Sequence, residues 1–213
     1  MSKRQREFSL RDIRNSADAL KYASAERWGE KKFVLEAIEE HCASFQYASE
    51  ELQGDPNFVL DSIKADFQPF IYASADLRED REFFIKAVKV CGLVLQYASE
   101  EFRNDREIVW EAVKHDGEAI RFASEELRND RELAIEAING GGFFCVSEEL
   151  RSDREIVLIA LHSDRDQDGH ALEHASGELR GDRSIVWEAV KQDGLSLEYA
   201  SEELRDDRSI VWE

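Results

Sequence analysis

Between Arg106 and Gly117 the chain reads REIVWEAVKHDG, with apolar residues at 108, 109, 110, 112 and 113 and charged residues around them. At 100° per residue, Ile108, Ala112, Val109, Val113 and Trp110 sweep an arc of about 200°. Such an arc is too broad for one contact, so the pattern predicts a helix of about ten residues covered on two or three sides. Asp105 stands where an N-cap carboxylate would take the free N–H groups of the first turn. In another copy Asp55 is followed by Pro56, a residue suited to the first helical position. Asp116-Gly117 ends the run, as do Asp193-Gly194 and Cys91-Gly92, and glycine there predicts a left-handed C-cap. A second stripe, Ala119, Ile120, Phe122 and Ala123, is narrower and suits packing on the first helix. Continued further, it would bring Glu126 into the apolar face. The second helix, of about eight residues, should therefore stop near Ser124, which caps a short turn through Glu125, Glu126 and Leu127. Leu127 then serves as an anchor between copies.

The same pattern returns along the whole chain. A small residue followed by serine falls at 23-24, 48-49, 73-74, 98-99, 123-124, 146-147, 175-176 and 200-201, so the spacing is 25 four times, then 23, 29 and 25. All five tyrosines precede that pair, and Phe122, Cys145 and His174 fill the same column in the remaining copies. A fixed period of this length is the mark of a repeat architecture. The expected fold is all-α, an α-solenoid of about eight two-helix repeats of roughly 25 residues.

The copies are not all alike. Residues 1–29 predict a degenerate capping repeat, because Ser9 and Asp12 interrupt the apolar columns that Phe8, Leu10 and Ile13 continue. Regular repeats follow over 30–138. Residues 139–170 form an irregular junction, with Gly140 to Gly142 in a turn shortened by two and an acidic insertion after His162, and suggest a bend or hinge. Residues 171–213 resume the repeat and begin a ninth copy, whose Ile210, Val211 and Trp212 predict an edge able to self-associate.

The phrases ASEELRNDRE (123–132) and LEYASEELRDDR (197–208), with IVWEAVK at 108–114 and 185–191, resemble the repeat family known as domain of unknown function 4116. The resemblance is clearest over Leu77–Gly117 and Glu178–Glu213 and weakest in the first copy and between Asn139 and His170. It implies an all-helical repeat module and brings no activity or catalytic residues with it.

Charge narrows the function. Forty-seven acidic against 28 basic residues leave a net charge of -19. That field repels phosphate backbones and anionic headgroups, so neither nucleic acid nor membrane is an expected partner. Lys3, Arg4 and Arg6 are the only basic cluster, read as a solvated tail. Three widely spaced cysteines, Cys42, Cys91 and Cys145, fit a reducing compartment. With no secretory signal pattern and no apolar run of membrane length, the sequence predicts a cytoplasmic or nuclear protein.

Little in the chain points to chemistry. Serines that recur without a histidine or cysteine beside them read as caps, not nucleophiles. The tyrosine column reads as core or near-core, and Trp110, Trp187 and Trp212 share a packing column with Leu35, Leu60, Ile85, Ile135 and Leu158. Paired carboxylates at 50-51, 100-101, 125-126, 148-149 and 202-203 read as a solvated face. Asp164, Asp166, Asp168 and Gly169 match the opening D-x-D-x-D-G of a calcium loop, but Ala175 stands where a bidentate glutamate should close it. A calcium-responsive module is the alternative these residues offer; otherwise no cofactor is expected.

If recurring positions hold the repeats together, selectivity belongs to a column that varies. Lys21, Gln46, Ile71, Gln96, Arg121, Phe144, Glu173 and Glu198 are such a column. At roughly 10 Å per repeat, Gln46, Ile71, Gln96, Arg121 and Phe144 would offer changing chemistry to an extended peptide or protein. The sequence thus predicts a non-enzymatic scaffold for protein interaction, with a basic partner set by the acidic surface.

Overall fold

A computed structural model describes residues 17–163, 170–207 and 210. Expectations placed on residues 1–16, on Asp164 to Gly169 and on Val211 and Trp212 lie outside them. All regular structure among the described residues is helical, α or 3-10. The chain divides into two units, residues 1–99 and 100–213; the junction expected at 139–170 lies within the second.

One repeat of the second unit shows how sequence becomes structure. Asp105 caps the long helix Arg106–His115, its carboxylate accepting the N–H groups of Glu107 and Ile108 at 3.0 and 3.3 Å. Ile108, Val109, Ala112 and Val113 are all buried, as the broad arc required, whereas Trp110 is half-buried. Asp55, Asp80, Asp130, Asp153 and Asp182 cap their helices in the same way, with Pro56 in the first turn of its own.

The helix stops differently from expectation. Asp116 turns to extended backbone, φ -150° and ψ 111°, and its carboxylate then accepts the N–H of Glu118. The acid therefore opens the next helix, while Gly117 keeps an ordinary negative φ; among described residues only Gly141 is left-handed, at φ 86°. Close approach explains Gly117 instead. A Cβ there would lie 2.2 Å from the carbonyl oxygen of Ala137 and 2.8 Å from the carbonyl carbon of Gly140. A Cβ on Gly142 would likewise meet the oxygen of Gly117 at 2.2 Å. The glycine run at 140–142 lets two backbones touch.

The second expected helix is a six-residue 3-10 helix, Gly117–Phe122, and the short turn after it is itself one turn of α-helix, Glu125–Arg128. At three residues per turn the apolar stripe is narrow: Ala119 and Ile120 are buried and Phe122 only half so. Ser124 caps the short helix, accepting the N–H of Leu127 at 3.3 Å, and Leu127 is buried as the predicted anchor.

Neighbouring repeats are joined through that serine. Its own N–H donates to the carbonyl of Arg103 at 2.9 Å, at the end of the preceding short helix. The bond recurs from Ser147 to Arg128, Ser176 to Arg151 and Ser201 to Arg180, and in the first unit from Ser49 to Trp28 and Ser74 to Gln53, at 2.8 to 3.1 Å. Side chain and backbone of one residue thus satisfy two helix ends that would otherwise leave polar groups orphaned. In each unit, long helices adjacent in sequence are also packed on one another.

Candidate interaction surface

The varying column falls on the 3-10 helices, except for Glu173, which lies on the α-helical turn Ala171–His174. In the first unit Gln46 is exposed and turns its amide onto the carbonyl of Ala43 at 2.9 Å; Ile71 is 46% exposed; Gln96 is half-buried and donates to Leu93 at 3.2 Å. In the second, Arg121 is exposed 3.6 Å from Glu118, Phe144 is 40% exposed, and Glu173 and Glu198 are exposed. Gln96 apart, the members of this column are exposed in both units.

The neighbouring tyrosine column is near-core rather than core, and its first two members are exposed. Tyr22 and Tyr47 are exposed and Tyr72, Tyr97 and Tyr199 half-buried; the core ring or aliphatic lies two positions earlier, at Phe45, Phe70, Leu95 and Ile120. Two steps of a 3-10 helix rotate a side chain by about 240°, so the two columns cannot share a face. Three of the tyrosines rest on the preceding repeat: Tyr47 stacks on Trp28 with centroids 5.4 Å apart, Tyr97 lies 6.4 and 6.2 Å from Phe67 and Phe70, and Tyr199 lies 6.1 Å from His170. Trp110 and Trp187 are flanked by cations, Arg106 at 5.4 Å and Lys191 at 5.6 Å from the ring.

A charge ladder, unforeseen from the sequence, runs along the N-termini of the long helices. The basic residue after one N-cap acid reaches the aspartate at the same place in the next repeat: Lys31, after Glu30, to Asp55, Arg106 to Asp130 at 3.0 Å, Arg131 to Asp153 at 2.7 Å, Arg154 to Asp182 at 3.8 Å and Arg183 to Asp207 at 2.9 Å. The Asp-Arg dipeptide recurring once per period was the available signal. Asp55 is held below the usual carboxylate range, first by Lys31 and then by backbone N–H groups. For Asp130 and Asp153 partial burial opposes ionisation, yet the guanidinium and first-turn N–H groups outweigh it and lower both. Asp182 is lowered first by the Ser184 hydroxyl.

The paired glutamates are left outside this ladder. Glu50, Glu51, Glu100, Glu101, Glu125, Glu126, Glu202 and Glu203 are exposed and, among the described residues, enter no ion pair. Excess negative charge is therefore concentrated at the first turns of the short helices.

At the irregular junction the second unit holds a cleft of about 130 Å³, bordered by Ile138, Gly141, Phe143, Phe144, Ala160, Ser163, His170, Ala171 and His174. Cys145, beside it in sequence, is buried, and burial pushes its thiol up to about 11. The serine column caps short helices, with Ser24, Ser49, Ser74, Ser147 and Ser176 each accepting a backbone N–H three residues on. Among the described residues no three histidine, cysteine, aspartate or glutamate side chains gather as metal ligands, and no helix is long and apolar enough to cross a membrane. Asp164, Asp166 and Asp168 lie outside the described residues.

Capped helical segments joined once per period by the same serine define a tandem helical-repeat protein. The family described as a domain of unknown function (DUF4116) matches residues 30–78, 80–128, 105–143, 130–180, 166–205 and 182–213, and the chain belongs to it. Among curated proteins and solved structures nothing matches.

Proposed function

We propose that this protein is a non-enzymatic scaffold that binds a basic protein or extended peptide through the varying column that each repeat exposes. The observation that carries the reading is the column at Gln46, Ile71 and Gln96 in one unit and Arg121, Phe144, Glu173 and Glu198 in the other. It ranges over Gln, Ile, Arg, Phe and Glu while the residue just before it is apolar in every copy. Varied groups on a constant frame suit recognition of an irregular partner. Basic character follows from the ladder, which engages Lys31, Arg106, Arg131, Arg154 and Arg183 internally and leaves the glutamate pairs facing water. Such a surface accelerates encounter with a cationic partner and loses that advantage in salt. Three free cysteines and the acidic charge favour a reducing cytoplasmic or nuclear setting.

The test is capture on the immobilised full chain at low and high ionic strength, beside a variant carrying Ile71→Ser and Phe144→Ser and another with Glu100, Glu101, Glu125 and Glu126 changed to Gln. A specific partner should be basic and released by salt, and it should be weakened by both variants while their circular dichroism matches wild type. A partner retained equally by all three chains would overturn the reading.

A further inference from the structure

Four exposed side chains of the second unit stand, in chain order, on elements that pack one on the next. Arg121 is on Gly117–Phe122, Phe144 on Phe143–Cys145, Glu173 on Ala171–His174 and Glu198 on Gly194–Tyr199, and each of these elements touches its successor. Side-chain contacts bear out the order. The Phe144 ring lies 5.6 Å from that of His174. The Tyr199 phenol is held above its ordinary range, first by a hydrogen bond to Glu198, with burial and Glu173 adding to it. Arg121 lies over Phe122 and makes an exposed ion pair with Glu118 at 3.6 Å, which holds it weakly. Glu173 and Glu198 enter no ion pair among the described residues. The row thus reads positive, aromatic, negative, negative.

The step along the row selects the shape of what can lie on it. Packed helices stand about 8–10 Å apart. Three residues of β-strand cover that distance, but side chains three apart in a strand face opposite ways. Polyproline II has three residues per turn and advances about 9.3 Å per turn, so every third side chain faces the same way at the required step. We propose that this row binds a polyproline II segment of the partner, with an acidic residue against Arg121, an apolar one against Phe144 and basic ones against Glu173 and Glu198, each three residues from the last. Charge complementarity along the row sets the chemistry, and the packing of its elements sets the spacing. The proposal rests on the scaffold reading and narrows it to a motif.

The full chain is titrated with Ac-EPPFPPRPPR-NH2 and, because such a segment can dock in either direction, with Ac-RPPRPPFPPE-NH2. One of the two should bind with a Kd of about 100 µM by calorimetry, and it should shift ¹H–¹⁵N signals of residues 117–122, 143–145, 171–174 and 194–199. Ac-PPPERFRPPP-NH2, equal in composition and charge, should bind at least about tenfold more weakly. Phe144→Ala should weaken binding about fivefold. Glu198→Lys should reverse a preference: the bound peptide with its outer Arg replaced by Glu should bind that variant more tightly than it binds wild type. Failure of both peptides at about 1 mM, roughly ten times the expected Kd, overturns the proposal. Equal binding of the control peptide, or a charge exchange that leaves the preference unchanged, does the same. Tighter binding of a helical peptide carrying the same four residues seven apart, about 10.5 Å, overturns the polyproline II assignment. If a variant does not fold, the peptides on the wild-type chain still decide. Failure of the peptides beside a partner retained in the capture experiment removes this motif and leaves the scaffold.

Discussion

Ser124 donates its backbone N–H to the carbonyl oxygen of Arg103 at 2.9 Å while its hydroxyl oxygen accepts the N–H of Leu127 at 3.3 Å. The two bonds can be separated. Ser124→Ala removes only the cap and should cost about 1 kcal/mol. Ser124→Pro also removes the inter-repeat donor, and proline fits the backbone there, φ -59° and ψ 158°. It should cost a further ~1 to 3 kcal/mol, because a carbonyl at a packed junction loses its partner. Urea unfolding of the three chains checks both numbers; equal losses would mean the junction bond contributes nothing.

Gly117 and Gly194 occupy the same position in two repeats, yet they should respond oppositely to alanine. At Gly117 the new methyl meets backbone at 2.2 Å, so Gly117→Ala should destabilise by about 3 kcal/mol or more. At Gly194 no atom lies within 4 Å and φ is negative, so Gly194→Ala should be neutral or stabilising by up to about 1 kcal/mol. Thermal unfolding of both variants decides.

Acid should unfold the protein through the ladder. Asp55, Asp130, Asp153 and Asp182 have lowered pKa values in the folded chain, so the unfolded chain takes up protons first as pH falls. Their stabilisation is complete above the ordinary aspartate range, about pH 4, and is lost as pH drops through it toward the folded values. Tm should therefore fall steeply between about pH 5 and pH 3. Asp130→Asn should be less stable at pH 7 but show a shallower acid slope, so that the two curves converge at low pH.

Cys145 should resist alkylation. Burial raises its thiol to about 11, so at pH 8 almost no thiolate exists to react. Iodoacetamide followed by mass spectrometry should label Cys145 only as the chain opens, with labelling rising sharply in denaturant.

Far less should follow from the exposed column. Ile71→Ser and Phe144→Ser alter side chains that are 46% and 40% exposed, and each should change stability by no more than about 0.5 kcal/mol. A much larger loss, measured in urea, would mark these residues as structural and weaken their assignment to a partner.

Much of the candidate surface was legible because the period aligns the chain with itself. Once Ser124 and Ser147 share a column, the residue three places earlier, Arg121 or Phe144, shares one too, and its variation is visible without coordinates. The tyrosine column is near-core rather than core for a physical reason: two steps along a 3-10 helix separate Tyr47 from buried Phe45 and Tyr97 from buried Leu95, and turn these rings onto the preceding repeat. The cleft was foreshadowed by a shortened turn and a lone His174, two irregularities whose meeting in space the chain alone does not reveal.

By itself the sequence determined local events: where helices start, through Asp105 and its counterparts; which residues face inward, through the spacing of Ile108, Val109, Ala112 and Val113; and that one repeating unit serves throughout. Those are set within a few residues, where capping and side-chain periodicity act. Tertiary structure decided what depends on the neighbouring repeat: that Ser124 closes two helix ends, that Arg106 reaches Asp130, that Gly117 admits no methyl, and that space opens beside Phe144. Each of these is a distance between atoms about twenty or more residues apart, and only packing brings them within reach of a hydrogen bond or a van der Waals contact.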